Sequence, residues 1–215
     1  SNNGEYQARS IVISTGASAK YLGLDDEKKY AGSGVSACAT CDGFFYRGKD
    51  VAVVGGGDTA AEEATYLAKL CNKVYLLVRK EEMRASKAMQ HRVENTANLE
   101  VLYNHELLGL EGNNVKKKKK IINNKTNEEN ELIVDGVFIA IGHKPNTDLF
   151  KGKLDMDETG YLITKDRSYK TNIPGVFAAG DVQDSVYRQA ITAAGSGCSA
   201  ALDAERYVAE FFEEN

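Results

Sequence analysis

Residues 51–60 read Val-Ala-Val-Val-Gly-Gly-Gly-Asp-Thr-Ala, an apolar run followed by three glycines. The apolar run predicts a buried strand, and the glycines predict a tight turn at its end. Residues 59–70 place small, acidic and apolar residues at helical spacing, and Lys73–Val78 returns to an apolar, β-branched pattern. Strand, glycine turn, helix and strand form a βαβ unit, whose crossover is expected to be right-handed. The sequence therefore predicts an α/β fold built on a parallel sheet.

The glycine turn follows the pattern G-x-G-x-x-A from Gly55 to Ala60. In such a turn Gly55 permits the sharp bend, Gly57 lets a pyrophosphate approach the backbone, and Ala60 lets the helix pack close to the strand. The anionic pyrophosphate is expected at the helix N-terminus, where free N–H groups favour it. We therefore predict a dinucleotide site that includes Asp58 and Thr59 as well as the three small residues.

The end of the second strand indicates which dinucleotide binds. An NAD site usually places an acidic residue there to accept hydrogen bonds from the ribose 2′-hydroxyl. This chain instead has Arg79 and Lys80, and Arg84 follows one turn into a helix expected over residues 81–97. Three cations suit a 2′-phosphate dianion, and arginine can bind it with two hydrogen bonds. The pattern favours NADPH, the alternative being a solvated, basic start to that helix.

A second motif, Cys38-Ala39-Thr40-Cys41-Asp42, precedes the glycine turn. Two thiols at this spacing can close and reopen a disulfide, and the carboxyl group beside them can supply or remove a proton. Half of a zinc site has the same spacing, but a zinc ion needs four ligands, and neither a second C-x-x-C nor a nearby histidine pair is present. We predict no metal and a redox-active pair beside the dinucleotide site, with Cys38, Cys41 and Asp42 as the catalytic residues.

The composition excludes several classes of protein. Of the 215 residues, 42% are hydrophobic and 27% charged, and the net charge of −4 gives a pI near 5.5, so we expect no nucleic-acid partner. No apolar run reaches the roughly eighteen residues of a membrane span, and residues 1–5 do not resemble a signal peptide. The sparse cysteines suit a reducing, cytoplasmic compartment, and Cys71 and Cys198 are expected to be inert, buried thiols.

Period and turn residues predict the remaining elements: a loop at 17–37, a strand at 99–103, an antiparallel meander over 105–135 with turns at 112–114 and 123–125, a strand at 137–142, a short strand at 176–181 and a long helix over 189–212. The run Lys116–Lys120 would place like charges on both faces of a meander strand, which is unfavourable. An exposed loop is therefore predicted there, with a basic docking patch as the alternative.

Five segments together resemble the low-molecular-weight thioredoxin reductase family. They are Ser36–Tyr46, Gly55–Ala64, Phe138–Thr147, Gly175–Val182 and Tyr187–Gly195. They occur in the family's order and cover most of the chain. The resemblance implies a homodimeric, FAD- and NADPH-dependent enzyme acting on thioredoxin, with two Rossmann-like domains.

In that family the NADPH domain, which carries the cysteine pair, is inserted into the FAD domain. The resemblance thus assigns residues 1–20 to the end of the first FAD-domain segment, 21–142 to the NADPH domain and 143–215 to the C-terminal FAD-domain segment. It also implies further cofactor contacts, which are Thr15, Gly16, Ile141, Gly142, Gly180, Asp181, Val182, Arg188, Gln189 and Ala190.

The resemblance also implies an order of events. NADPH reduces the flavin, the flavin reduces the Cys38–Cys41 disulfide, and the dithiol reduces thioredoxin. Cys41 is expected to face the flavin, Cys38 to attack thioredoxin, and Asp42 to act as acid and base. Because one domain holds both the cysteine pair and the nicotinamide site, they must take turns at the flavin. That implies rotation about residues 17–34 and 142–147.

The chain departs from the family in three places. The residues before Ile11 lack the glycine-rich strand that binds the FAD pyrophosphate, so we expect a fragment without the N-terminal part of the FAD domain. Val78-Arg79-Lys80 stands where the family has His-Arg-Arg, and the lysine run replaces an alternating strand. The alternatives are a flavoprotein reductase of the alkyl hydroperoxide reductase type, or a non-catalytic NADPH-domain fragment.

Overall fold

The computed structural model describes residues 4–111, 117–165 and 168–213. Its strands are β1 (Ile11–Ile13), β2 (Ala17–Ala19), β3 (Val35–Ser36), β4 (Asp50–Val54), β5 (Lys73–Val78), β6 (Leu99–Tyr103), β7 (His105–Glu111), β8 (Lys117–Asn123), β9 (Glu128–Val134), β10 (Gly136–Ile139), β11 (His143–Pro145) and β12 (Val176–Ala178). None of the helices in these ranges is long and apolar enough to cross a membrane.

The α-helices are α1 (Asp25–Tyr30), α2 (Ala39–Asp42), α3 (Asp58–Leu67), α4 (Lys87–Glu94) and α5 (Ala190–Val208), which a π-helical segment continues at Ala209–Glu213. Short 3₁₀ helices occupy Gly43–Tyr46, Asp148–Phe150 and Gly180–Val182. The chain folds into two compact units. One comprises Ala19–Gly142, and the other combines the residues up to Ser18 with those from His143 onward.

A five-stranded parallel sheet forms the centre of the unit Ala19–Gly142, in the order β3-β10-β4-β5-β6. β4 lies in the middle, and Val51–Val53 are completely buried because neighbours cover both faces of the sheet. The chain passes from β4 through α3 to the adjacent parallel strand β5, as the βαβ pattern predicts. The α/β prediction is confirmed.

The two faces of this sheet are covered by different elements. On one face α3 contributes Ala60, Ala64 and Leu67, none of which is exposed, and α4 contributes Met89 and Val93. On the other face the antiparallel sheet β7-β8-β9 packs against β4, β5 and β10 through a cluster that includes Leu107, Leu110, Ile121 and Val134. The predicted meander and its turn near Asn123 are confirmed, whereas the predicted turn at 112–114 lies outside the described residues.

The lysine run does not form the predicted exposed loop. Lys117–Lys120 open β8, Lys118 pairs with Glu131 at 2.7 Å (Nζ to Oε2), and Lys119 is only 1% exposed between Leu110 and Leu132. The prediction was wrong because it ignored the neighbouring strand, whose glutamate offsets charge on the solvent face. It also ignored the long aliphatic stem of lysine, which can lie among apolar side chains. Lys116 lies outside the described residues.

Two other predicted elements change in length or type. The predicted loop 17–37 contains the helix α1. The chain that leads into this helix is held by the buried Glu27 carboxylate, which accepts hydrogen bonds from three successive N–H groups at Leu22–Leu24. The helix predicted over 81–97 begins only at Lys87. The N–H groups of Arg84 and Ala85 are bound instead by the Gly56 carbonyl, an acceptor distant in sequence that helical periodicity does not reveal.

The second unit pairs β1 with β12 in parallel, with Ile11 opposite Val176. Leu154, Leu162 and Val182 pack on one side, and α5 packs on β12 through the fully buried Ala200. The long helix over the tail is confirmed.

The two lone cysteines differ in environment. Cys71 is buried as predicted, and its burial, followed by the negative charge of Asp50, raises the pKa of its thiol to about 11. Cys198 is exposed on α5, so the prediction of a buried thiol was wrong for this residue. Small neighbours such as Gly197 and Ser199 occur on either face of a helix, and they do not indicate burial.

We expect Gly136→Ala to destabilise the unit Ala19–Gly142. A Cβ at Gly136 would lie 2.2 Å from the ring of Tyr46, which is itself packed edge-on against Phe138 at 5.3 Å between centroids. Overpacking of this kind costs about 1–3 kcal/mol, measurable as a loss in the free energy of unfolding by urea. Gly109→Ala is the control, because its Cβ would meet nothing closer than 3.9 Å. Equal stability of the two variants would contradict this packing.

We also expect iodoacetamide at pH 8 to label Cys198 in the folded protein and to leave Cys71 unmodified. Only the thiolate reacts, and a pKa of about 11 leaves about one Cys71 in a thousand ionised at that pH. Peptide mapping by mass spectrometry after timed labelling measures both rates. Unfolding in urea should make the two equal, and equal rates in the native protein would refute the buried environment of Cys71.

Candidate active site

A cavity of about 410 Å³ opens at the carboxyl ends of β4 and β5. Ligands bind at this edge of parallel sheets because the strand ends and the following loops leave backbone groups free there. The lining residues include the glycine turn, the cations after β5, the start of β7 and the segment after β10. They are Leu22, Val54, Gly55, Gly56, Gly57, Thr59, Leu77, Val78, Arg79, Lys80, Glu82, Arg84, His105, Glu106, Leu107, Ala140, Ile141 and Gly142.

The glycine turn is shaped by one close approach and one open position. Gly55 has a φ of +151°, and a Cβ there would lie 2.4 Å from the Ala140 carbonyl oxygen and 2.7 Å from the Ala60 Cβ. Gly57 is the N-cap of α3, and a Cβ built on it would meet no atom within 4 Å. The space beside Gly57 at the N-terminus of α3 is therefore open, and Gly57 and Thr59 line the cavity there, which suits the approach of a pyrophosphate.

Asp58 connects the glycine turn to the segment that carries Arg84. Its Oδ1 accepts a hydrogen bond of 2.9 Å from the Ser86 N–H, and the Arg84 N–H donates to the Gly56 carbonyl at 2.6 Å. Hydrogen bonds from Ser86 hold the pKa of Asp58 below its ordinary value. The carboxylate thus secures the loop 81–86 across the turn, a contact that sequence spacing alone does not predict.

Arg79, Lys80 and Arg84 are exposed and line the cavity. They do not begin a helix, because α4 starts at Lys87 after Ser86, whose Oγ accepts the Met89 N–H. The alternative of a basic helix start is therefore wrong for these residues. Three cations that line one cavity favour the binding of an anionic ligand there.

His105 and Glu106 also line the cavity, although sequence reasoning assigned neither a role. They enter it because Asn104, with a left-handed φ of +59°, turns the chain from β6 into β7 directly beside the cations. The only signal in the sequence was an asparagine between two strands, a residue type that tolerates this conformation. Asn104 also donates its N–H to the Lys80 carbonyl at 3.1 Å.

Cys38 and Cys41 form a disulfide at the start of α2, with 5.3 Å between their Cα atoms. Cys38 Sγ accepts a hydrogen bond from the Cys41 N–H at 3.2 Å and lies 3.4 Å from the Thr40 hydroxyl. Cys41 is exposed, and Cys38 is half-buried. Both belong to the unit Ala19–Gly142 but do not line its cavity. In the described ranges, no three His, Cys, Asp or Glu side chains converge as a metal ion would require.

Asp42 is held by a side chain that sequence reasoning missed. The buried Ser36 donates its hydroxyl to Asp42 Oδ2 at 2.7 Å and accepts the Cys38 N–H at 3.1 Å. Tyr46 lies nearby, and burial, then the charges of Asp42 and Asp135, raise the pKa of its phenol. The Ser36 hydroxyl therefore orients both the Asp42 carboxylate and the backbone at Cys38.

In the other unit, two predicted pairs of cofactor residues lie at one sheet edge. Thr15 and Gly16 follow β1, and Gly180 and Asp181 follow β12, the parallel strand beside it. Gly180 has a φ of +73°, and its N–H is bound by the Ser196 hydroxyl at 2.9 Å. This edge has the form at which open α/β sheets bind ligands.

The remaining predicted residues of this unit lie close to α5. Val182 is fully buried in the core, Gln189 is the N-cap of α5, and Ala190 is its first residue and exposed. Arg188 has a φ of +48°, an uncommon conformation for arginine, and its guanidinium donates to the Ser185 carbonyl. Non-glycine residues in this region often occur at functional sites.

Comparison with known proteins supplies the relatives. The family described as pyridine nucleotide-disulphide oxidoreductase matches residues 1–197. The mitochondrial thioredoxin reductase of Kluyveromyces lactis is 55% identical over 204 residues, which cover 94% of this chain and 58% of that protein. The thioredoxin reductase of Rickettsia conorii is 51% identical over 207 residues, which cover 95% of this chain and 67% of that protein.

Solved structures agree with this relationship. A thioredoxin reductase from Giardia duodenalis superposes with a TM-score of 0.88 at 45% identity, covering 93% of this chain and 66% of that one. The chain thus spans between 58% and 67% of the length of these relatives. The predicted fold class, a Rossmann-like disulfide reductase fold, is confirmed. The chain belongs to the pyridine nucleotide-disulphide oxidoreductase family and, within it, to the low-molecular-weight thioredoxin reductases.

Proposed function

We propose that this chain is the NADPH-binding and dithiol-bearing part of an NADPH-dependent thioredoxin reductase. The observation that carries the proposal is a Cys38–Cys41 disulfide with an oriented carboxylate beside it. It lies in the same compact unit as a cavity that is lined by the glycine turn and by three cations. The close relatives that bear the name thioredoxin reductase support the same activity.

In this proposal NADPH occupies the cavity of the unit Ala19–Gly142. The pyrophosphate lies at Gly57 and the first N–H groups of α3, where a side chain would otherwise stand. Arg79, Lys80 and Arg84 bind the 2′-phosphate, and Ile141 and Gly142 contact the nucleotide elsewhere in the same cavity, which they also line. Arginine can bind a phosphate with two parallel hydrogen bonds, so the replacement of a second arginine by Lys80 lowers geometric selectivity without lowering charge.

FAD would be held by the other unit. Thr15, Gly16, Gly180 and Asp181 lie together at the carboxyl ends of β1 and β12, a position suited to the ribityl and phosphate portion. The segment Arg188–Ala190 would lie along the flavin ring. The division into an FAD part and an inserted NADPH part follows the two compact units, which the chain joins at Ser18–Ala19 and at Gly142–His143.

When bound, NADPH supplies two electrons and FAD passes them to the disulfide. Opening the Cys38–Cys41 bond consumes both electrons and, at the level of two thiols, two protons. The Cys41 N–H donates to Cys38 Sγ at 3.2 Å, and such a donor favours a thiolate on that sulfur. Cys38 is therefore the attacking residue.

The Cys38 thiolate attacks one sulfur of the thioredoxin disulfide, forms a mixed disulfide and releases one thioredoxin thiolate. Asp42, held by Ser36, takes the proton that Cys38 loses and delivers it to that leaving sulfur. Cys41 then loses its proton and attacks Cys38 Sγ, which restores the Cys38–Cys41 disulfide. The proton from Cys41 passes to the second thioredoxin sulfur, which leaves as a thiol. One disulfide is reduced and one is formed, so the electrons balance.

Three further features belong to the same proposal. They are the homodimer, the cytoplasmic location and the rotation that lets the cysteine pair and the nicotinamide alternate at the flavin. The segments 17–34 and 142–147 support the rotation, because they include both points at which the chain passes between the units and Gly142 has a φ of +99°. One relative is mitochondrial by name, so the location can differ within the family.

We expect Arg84→Ala to weaken NADPH binding about tenfold and to leave NADH binding unchanged. The loss follows from removing a charged hydrogen-bond donor to the 2′-phosphate alone. Isothermal titration with each nucleotide measures both affinities. Arg92→Ala is the control, because Arg92 is exposed on α4 and does not line the cavity. Equal losses for NADPH and NADH would contradict the assignment of these cations to the 2′-phosphate.

We expect Cys41→Ser, but not Cys38→Ser, to accumulate a mixed disulfide with thioredoxin. A lone Cys38 attacks and then lacks the partner that resolves the bond, whereas a lone Cys41 is expected to face the flavin and not thioredoxin. The reduced variants are mixed with oxidised thioredoxin, and the adduct is identified by peptide mapping. Cys198→Ser in both backgrounds removes the exposed thiol that would otherwise react. An adduct that forms only through Cys41 would reverse the two roles.

A further inference from the structure

Residues 79–81, which include two of the three cations, are held in place by residues at the turns next to the antiparallel sheet. Asn104 N–H donates to the Lys80 carbonyl at 3.1 Å, and Asn124 Nδ2 donates to the Arg79 carbonyl at 2.7 Å. Lys125 Nζ pairs with Glu81 Oε2 at 2.5 Å, which holds the pKa of that carboxyl below its usual value. Three consecutive residues after β5 are thus bound by the end of β6 and by the turn between β8 and β9.

Asn124 occupies the centre of this arrangement. Its side-chain amide donates both to the Arg79 carbonyl and to Glu106 Oε1, the latter at 2.8 Å. Its own N–H donates to the Asn104 carbonyl at 2.8 Å. One side chain therefore links the strand end that bears Arg79 with the carboxylate that lines the cavity beside it.

The charge of Glu106 makes this link consequential. A carboxylate on the wall of a phosphate site repels the phosphate and attracts the nearby guanidinium and ammonium groups. The Asn124 amide engages one Glu106 oxygen and fixes the direction of the side chain. Without that amide, Glu106 is free to pair with Arg79 or Lys80 and to compete with the ligand for them.

We propose that Asn124 is a positioning residue for 2′-phosphate recognition, which holds the Arg79 backbone in place and restrains Glu106 from neutralising the cations. It therefore sets the preference for NADPH over NADH without touching either nucleotide. This inference rests on the proposed NADPH site and adds to it a residue from the β8–β9 turn, distant in sequence from the glycine motif.

The test measures binding of 2′,5′-ADP and 5′-AMP to the full chain by isothermal titration, because the two probes differ only in the 2′-phosphate. We expect Asn124→Ala to weaken 2′,5′-ADP about fivefold, the effect of losing ordinary hydrogen bonds, and to leave 5′-AMP unchanged. Asn124→Asp retains the size of the side chain without its donor and should lose at least as much. Asn130→Ala, on an exposed position of β9, is the matched control.

A second comparison tests the part played by Glu106. Adding Glu106→Gln to Asn124→Ala removes the competing charge, so it should recover part of the lost affinity for 2′,5′-ADP. Thermal melting of each variant, compared with that of the wild type, checks that the fold is intact. A double variant that binds no more tightly than Asn124→Ala would overturn the restraint of Glu106.

The remaining outcomes separate the inference from the function on which it rests. Undiminished 2′,5′-ADP binding in both Asn124 variants would overturn the positioning role, as would equal losses for the two probes. A wild-type chain that binds 5′-AMP as tightly as 2′,5′-ADP would instead refute the NADPH assignment itself. A wild-type preference for 2′,5′-ADP that falls in both Asn124 variants and is unchanged in Asn130→Ala supports both.

Discussion

The close approach between Gly55 and the segment after β10 constrains the whole of the unit Ala19–Gly142. A Cβ at Gly55 would lie 2.4 Å from the Ala140 carbonyl oxygen and 2.7 Å from the Ala60 Cβ. Only glycine allows β4, β10 and α3 to meet at this point. Because they meet there, the N-terminus of α3 opens toward the cavity and the cations after β5 stand at its edge. The packing of this unit and the form of its cavity thus both depend on the absence of a side chain at Gly55.

The second constraint is the sharing of one unit between the cavity and the cysteine pair. β3 ends two residues before Cys38, and β10 lies between β3 and β4, the strand that the glycine turn follows. The parallel sheet therefore positions both the cysteine pair and the cavity, although the cysteines do not line the cavity. Ser36, the last residue of β3, links the sheet to the chemistry because its hydroxyl orients Asp42.

Local patterns predicted the elements whose determinants are local. β5 and β6 lie at the predicted residues because their apolar, β-branched runs are bounded by polar residues. The helix predicted over 81–97 is shorter because its first N–H groups bind Gly56, and the lysine run forms a strand because Glu131 lies beside it. Each difference arises from a partner that is remote in sequence.

The candidate site follows the same division. The glycine turn, the cysteine pair and the cations were predictable because each is a short motif with its own chemistry. Ser36, Glu106 and Asn124 were not, because their roles depend on strands that meet only in the folded chain. They are ordinary polar residues in sequence, and their hydrogen bonds distinguish them.

The most direct measurement is a count of reactive thiols, taken before and after anaerobic addition of NADPH to the protein purified with its bound flavin. Cys71 and Cys198 are free in the oxidised chain, so we predict that the count in denaturant rises from two to four per chain as the flavin absorption bleaches and recovers. Cys41→Ser should show no such rise. A count that stays at two with NADPH, although dithiothreitol raises it to four, would contradict electron transfer from the nucleotide to Cys38–Cys41.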